Sequence, residues 1–207
     1  MREALGRRNR AVFLDRDGVI NEEVNFLRRP EQIRLIPGSA RAIARLKAAG
    51  FKVIVISNQS VIARGYVTRR GLAKIHARLR RELKKSGARL DAIYYCPHHP
   101  RVGARLRCRC RKPKIGMLED AARRFRLDLA ECFMVGDTTV DLKTARKAGC
   151  AAILVRTGKG GRDGSYKARP DAVFDDLAAA ASGLIRGLRA GDAALRRGRK
   201  AFHGASH

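Results

Sequence analysis

The feature that most constrains this chain is an alternation. Four-residue apolar runs recur along it: Ala11-Val12-Phe13-Leu14, Val53-Ile54-Val55-Ile56, Ala92-Ile93-Tyr94-Tyr95, Cys132-Phe133-Met134-Val135 and Ala152-Ile153-Leu154-Val155. β-Branched and aromatic residues dominate them, as in strands buried on both faces. Helical spacing fills the gaps. Pro37-Gly38-Ser39 opens a segment with Ala42, Ile43, Leu46 and Ala49 on one face, closed by Gly50. Thr68 stands where a cap would precede a stripe of Leu72, Ile75, Leu79 and Leu83. Further helices are predicted over Gly116 to Phe125, about Val140 to Ala148 before Gly149, and Asp175 to about Leu188. Strands separated by helices imply right-handed crossovers, hence an α/β fold with a Rossmann-like doubly wound parallel sheet.

In such sheets ligands sit beyond the carboxyl ends of the strands, and the polar residues of this chain collect there. Asp15-Arg16-Asp17-Gly18-Val19-Ile20-Asn21 follows the first strand. An extended backbone would send the two carboxylates to opposite sides. A turn, made cheap by Gly18, brings both toward one site. Paired carboxylates there call for a hard cation such as Mg²⁺, and one of them can then act as nucleophile and the other as general acid and base. Taken alone, the motif also reads as a surface turn. Gly136-Asp137-Thr138-Thr139-Val140-Asp141 repeats the logic after a later strand, with Asp141 placed to support a metal or to cap the helix. Ser57-Asn58-Gln59-Ser60 offers a hydroxyl and amides for phosphate oxygens, and Arg111-Lys112 offers cations.

Cys96, Cys108 and Cys110 cluster around His98 and His99, whereas Cys132 and Cys150 stand apart. An odd cysteine count favours metal over disulfides. Three thiolates and one imidazole would complete a closed tetrahedral zinc set, with either histidine as the fourth ligand. The intervening loop is rich in Arg and Gly and has little to bury, so its folding energy would come from the metal.

These motifs, in this order, resemble the four motifs of the haloacid dehalogenase-like phosphohydrolases: DRDGVIN, SNQS, the lysine of RKPK and GDTTVD. The match runs from about Val12 to Val155. It implies Mg²⁺-dependent phosphoryl transfer through an aspartyl-phosphate. Asp15 is then the nucleophile and Asp17 the general acid and base. Ser57 and Lys112 hold the phosphoryl group, and Asp15, Asp17 (through its main-chain carbonyl) and Asp137 hold Mg²⁺. YYCPHHP and CRCRKPKIGM, with SNQSVIARG, resemble the heptose 1,7-bisphosphate 7-phosphatases of that superfamily, whose relative is the histidinol-phosphate phosphatase domain. This finer resemblance implies removal of the C7 phosphate of D-glycero-D-manno-heptose 1,7-bisphosphate in nucleotide-activated heptose synthesis for lipopolysaccharide or S-layer glycans. It selects Cys96, His98, Cys108 and Cys110 as zinc ligands. It assigns Glu23, Val24, Asn25, Phe26, Asn58, Gln59, Ser60, Arg111 and Thr138 to substrate, with Arg111 on the distal phosphate. Two positions depart from the pattern: Val61 stands where a glycine is usual, and Thr138 where a lysine is common.

The formal charge of +27 admits a nucleic-acid partner, so a 3′-phosphatase is an alternative. Trp is absent and aromatics are sparse, without the basic-aromatic alternation that binds single strands, so nucleic acid is not the expected partner. A non-enzymatic basic module on a degenerate scaffold is disfavoured by the intact acidic trio Asp15, Asp17 and Asp137. No apolar run reaches the ~20 residues of a membrane span, and no signal peptide is evident, so the expectation is a cytoplasmic monomer acting on a small phosphorylated sugar. The expected organisation is a phosphatase domain over 1–182, carrying a zinc loop at 96–110 and no large cap domain, followed by a basic flexible tail over 183–207.

Overall fold

The computed structural model describes residues 9–102 and 107–189. Its centre is a six-stranded parallel sheet in the order β3-β2-β1-β4-β5-β6. The strands are β1 (Ala11–Leu14), β2 (Lys52–Asn58), β3 (Ala92–Cys96), β4 (Phe133–Gly136), β5 (Ala151–Val155) and β6 (Ala172–Phe174). The helices are α1 (Ser39–Ala48), α2 (Arg69–Lys85), α3 (Gly116–Phe125), α4 (Thr139–Ala148) and α5 (Leu177–Arg189).

Strand alternation sorts the core into two layers, because successive side chains leave a strand on opposite faces. Val12 and Leu14 of β1 pack with the apolar faces of α1, α2 and α5, including Ile43, Leu72, Ile75, Leu79 and Leu184. Ala11 and Phe13 point the other way, to Met117, Leu118 and Ala121 of α3 and Leu142 and Ala145 of α4. Each large side chain so buried contributes roughly 1.5–3 kcal/mol of transfer free energy. Both faces of the sheet are covered, which is why the strands read as continuous apolar runs. Among the described residues no cap domain interrupts this plan.

The elements follow the sequence closely, with instructive shifts. Thr68 accepts a hydrogen bond from Gly71 N and caps α2, as its position implied. Cys132 falls just before β4 and ends a short 3-10 turn. β6 was not expected from the sequence: three partly exposed residues carry too little periodicity to declare a strand. α5 continues to Arg189 and takes in the first residues of the stretch read as tail; the remainder, 190–207, lies outside the described residues, as does 103–106 within the cysteine loop.

The topology fixes where chemistry can occur. From β1 the chain builds outward through β2 and β3, then returns to add β4 on the other side of β1. Crossovers therefore leave in opposite directions from β1 and β4, opening a crevice at their carboxyl ends.

A candidate phosphoryl-transfer site at the sheet switch point

Asp15 is the first residue past β1 and Asp137 the first past β4. The two strands pair in parallel, Leu14 beside Val135, and Asp15 N donates to Val135 O at 3.0 Å. The acids therefore enter the crevice side by side. Carboxylate oxygens of Asp15, Asp137 and Asp141 all lie within 4.8 Å of one another. Burial pushes Asp15 up to about 6, against the pull of Lys112. Burial, then the charge of Asp15, pushes Asp137 up to about 7. Acids crowded in this way form a cradle that a divalent cation relieves, and their all-oxygen donor set fits Mg²⁺.

The backbone closes tightly around this cradle. Gly18 turns the chain at φ 76°, and a Cβ there would collide with the Asp137 carboxylate. Gly158, at φ 59°, is pressed against the same carboxylate and against Gly18. Thr157 Oγ1 donates to Gly18 O at 2.7 Å, and the main-chain N–H of Lys159 donates to Asp137 Oδ2 at 2.8 Å. The loop after β5 is thus clamped onto the crevice.

Lys112 is buried and bridges two acids, Asp15 Oδ2 at 2.9 Å and Asp141 Oδ1 at 2.5 Å. Burial works against its charge, but the attraction of Asp141 and Asp15 prevails and raises it. Asn58 holds the lysine's backbone: Lys112 N donates to Asn58 Oδ1 at 3.0 Å and Asn58 Nδ2 donates to Lys112 O at 3.2 Å. Asn58, expected at the substrate, lines the cavity and also holds the neighbouring lysine. Asp141 forms a reciprocal cap with Thr138, whose hydroxyl donates to Asp141 Oδ2 at 2.5 Å. Of its two suggested roles, Asp141 fills the helix cap while remaining within the acidic cluster.

Asp17 is not one of the three clustered acids. Arg16, only 1% exposed, forks it through Nη2 to Oδ2 at 2.7 Å and to Oδ1 at 2.9 Å. Asn21 Nδ2 and Gln59 Nε2 donate to the same carboxylate at 2.9 and 3.0 Å. Burial favours the protonated form, yet Arg16 and these donors together hold Asp17 below the ordinary carboxylate range. Ser57 is buried at the end of β2, its hydroxyl accepting from Gln59 Nε2 at 2.9 Å.

These groups line a cavity of about 350 Å³. The structure brings to its walls Asp15, Asp17, Glu23, Val24, Asn25, Phe26, Ser57, Asn58, Gln59, Ser60, Lys112 and Thr138. It also adds Arg16, Leu27, Val61, Val140 and Lys159. Arg111 is elsewhere: it donates to His98 O at 2.8 Å and lines a neighbouring cavity. Phe26 takes φ 59°, a left-handed conformation costing a bulky residue on the order of 1–3 kcal/mol. Edge-on contact with Tyr66 at 5.2 Å and the Arg64 guanidinium 5.0 Å from its ring hold it there. Val61 avoids positive φ and is buried in the core, so the loop accommodates it without strain.

The sequence hid Arg16 inside a motif that also reads as a surface turn. Lys159 follows a predicted strand end, and the rule placing ligands at strand ends is the signal that could have found it.

Beside the cavity, Cys96 at the end of β3 meets His98, Cys108 and Cys110, with ligand atoms within 4.8 Å of one another. Cys96 Sγ lies 3.8 Å from Cys108 Sγ and 3.2 Å from Cys110 Sγ, and His98 Nδ1 lies 3.3 Å from Cys110 Sγ. A tetrahedron with ~2.3 Å metal–sulfur bonds has edges near ~3.8 Å, so the donor set fits zinc. His99 is turned away from the sulfurs: its Nε2 faces Arg64 Nη2 at 2.9 Å. Cys132 and Cys150 are buried within the core layer of α3 and α4.

Residues 109–180 match the HAD-hydrolase-like family model. The chain is 44% identical over 177 residues to D-glycero-beta-D-manno-heptose-1,7-bisphosphate 7-phosphatase of Pseudomonas aeruginosa, covering 84% of this chain and 97% of that protein. It is 46% identical over 181 residues to D-glycero-D-manno-heptose-1,7-bisphosphate 7-phosphatase of Thermosynechococcus vestitus, covering 82% and 92%. The crystal structure of D,D-heptose 1,7-bisphosphate phosphatase from B. bronchiseptica, complexed with magnesium and phosphate, superposes with a TM-score of 0.78 at 42% identity. That match covers 86% of this chain and 98% of that one.

Proposed function

Because this chain belongs to the haloacid dehalogenase-like phosphatases, in the heptose 1,7-bisphosphate 7-phosphatase family, we propose that it hydrolyses the C7 phosphate of D-glycero-D-manno-heptose 1,7-bisphosphate. The step belongs to nucleotide-activated heptose synthesis. The observation that carries the reading is the convergence of Asp15, Asp137, Asp141 and Lys112 at the sheet switch point, beside a cavity of small-sugar size.

Asp15 is placed to attack. Its Oδ1 accepts from Arg16 N at 2.7 Å and its Oδ2 from Lys112 at 2.9 Å, which fixes the direction of the carboxylate. An Asp15 oxygen forms the new bond to phosphorus as the bond from phosphorus to the C7 oxygen breaks. Asp17 gives that oxygen its proton. Water then attacks the phosphoryl-Asp15, passes a proton to Asp17, and releases phosphate. Arg16 keeps Asp17 ionised in the resting site, the state that the second step requires. A phosphate dianion arriving beside Asp17 raises its carboxyl by like-charge repulsion and prepares it for the first step. Ser57 and Lys112 receive phosphoryl oxygens, where a preset cation offsets charge that would repel the nucleophile. Mg²⁺ would be held by Asp15, Asp137 and the main-chain carbonyl of Asp17; when bound it supplies charge neutralisation between nucleophile and phosphate.

Cys96, His98, Cys108 and Cys110 form our zinc site. It has no position left open for a reactant, so its role is to shape the loop beside the cavity.

The test is phosphate release from heptose 1,7-bisphosphate, histidinol phosphate and a 3′-phosphorylated oligonucleotide, with and without Mg²⁺. The expected result is Mg²⁺-dependent turnover with kcat/KM highest for the heptose bisphosphate. A preference for histidinol phosphate or for the oligonucleotide overturns the substrate assignment.

A further inference from the structure

The cavity wall carries three cations, Arg16, Lys112 and Lys159. Two are already committed: Arg16 forks Asp17, and Lys112 bridges Asp15 and Asp141. Neither can turn toward the mouth without abandoning an acid of the catalytic cluster. Lys159 differs. Among the described residues its ammonium makes no hydrogen bond or ion pair of its own, and it stands exposed at the rim. Its charge is felt by Glu23, an exposed cavity residue on the loop after β1, whose carboxyl is raised by burial and then by Asp17 and is pulled back down by Lys159.

The backbone beneath Lys159 is held in place. Its N–H donates to Asp137 Oδ2 at 2.8 Å, Gly161 N donates to Asp137 O at 2.7 Å, and Thr157 ties the same loop to Gly18. Gly158 leaves no room for a side chain between this loop and Asp137. A flexible cationic arm therefore rises from a fixed base joined to an acid of the reaction centre.

The resemblance places Arg111 on the distal phosphate and Thr138 at the substrate. Arg111 lies outside this cavity, donating to His98 O, and the Thr138 hydroxyl is engaged with Asp141. A sugar with its C7 phosphate at Asp15 must extend its far end away from the buried acids and toward the rim. A second phosphate there needs a cation that is not already paired.

We propose that Lys159 receives the second phosphate of the substrate, and so sets a preference for a sugar bisphosphate over the monophosphate. This rests on the functional reading given above and deepens it. Lys159 acts by direct contact with substrate and takes no part in bond making.

The test compares heptose 1,7-bisphosphate with heptose 7-phosphate, which keeps the reacting phosphate and lacks the distal one. Lys159→Met retains the main-chain N–H on Asp137 and removes only the charge. Losing one charge-assisted contact is worth about 10- to 100-fold. The ratio of kcat/KM for bisphosphate over monophosphate is expected to fall by that factor in Lys159→Met, mostly through KM for the bisphosphate. Lys159→Arg keeps most of the preference. An unchanged ratio in Lys159→Met, or equal losses on both substrates, overturns the assignment while leaving the functional reading intact. If the unaltered protein hydrolyses neither compound, the functional reading falls, and this inference falls with it.

Discussion

The acidic cluster at the sheet switch point and the sulfur cluster in the loop after β3 are assembled by different forces. Asp15, Asp137 and Lys112 are carried by, or tied to, the ends of strands whose side chains fill both core layers. The core holds these groups together although their charges resist it, and Asp15 and Asp137 are raised to about 6 and 7 as a result. The loop from Cys96 to Cys110 shows no comparable core among its described residues. Arg101, Arg107 and Arg109 are exposed, and among the described residues the sulfurs and a few neighbours reach the layer below. In one region the fold imposes the site; in the other the site would impose the fold.

Experiments that separate the two regions test this contrast. The largest effect is expected from Asp15→Asn: activity falls on the order of 10⁴-fold or more, while the circular dichroism spectrum and thermal midpoint stay near those of the unaltered protein. A collapsed fold in that variant would mean that the acids, and not the core, organise the sheet ends.

Disrupting the proposed zinc site should act the opposite way. Cys108→Ser, or extraction of zinc by a chelator, is expected to open residues 97–110 to limited proteolysis and to lower activity by about tenfold or more, with Mg²⁺ still supplied. A loop that stays protected after metal analysis shows no zinc would end the comparison.

A third expectation concerns pH. In the metal-free site the folded chain binds protons at Asp15 and Asp137 that the unfolded chain, near 3.8, has already lost. Metal-free stability therefore falls as pH rises from about 4 through about 7, and Mg²⁺ restores it above that range. For the same reason protons compete with Mg²⁺, and the Mg²⁺ concentration giving half-maximal rate should increase as pH falls from 7.5 to 5.5. Calorimetry with and without Mg²⁺ across this range checks the sign; a Mg²⁺ requirement independent of pH would contradict the crowding of these acids. The smallest effect is expected from Thr138→Ala, which removes the α4 cap at a cost of about 1 kcal/mol, a drop of roughly 2–4 °C in Tm.

The same division governs what could be read from the sequence. The sheet and its helices were legible because burial on two faces writes itself as unbroken apolar runs, as in Ala11–Leu14, and because Thr68 and Gly149 punctuate their helices. The polar ends of β2, Lys52 and Asn58, and the half-exposed β6 carry no such signal. At the site, Asp15, Asp17, Ser57, Lys112 and Asp137 could be named from motifs that follow strands, and the structure gathers them at one end of the sheet. The division of labour among their neighbours was not legible. That Thr138 caps a helix, that Asn58 holds a lysine's backbone, and that Arg16 is buried against Asp17 depend on distances set by tertiary packing. Lys159 is the extreme case: its place at the cavity comes from a loop folded back onto Asp137, more than twenty residues away.

The central claim, that Asp15 carries the phosphoryl group, is open to direct chemical trapping. Rapid acid quench during turnover of the bisphosphate, followed by borohydride reduction, converts an aspartyl-phosphate to homoserine. Peptide mass spectrometry is expected to find homoserine at position 15, and only when Mg²⁺ and substrate are both present. Steady phosphate release with no reduction at Asp15, or with reduction at another residue, would contradict the account.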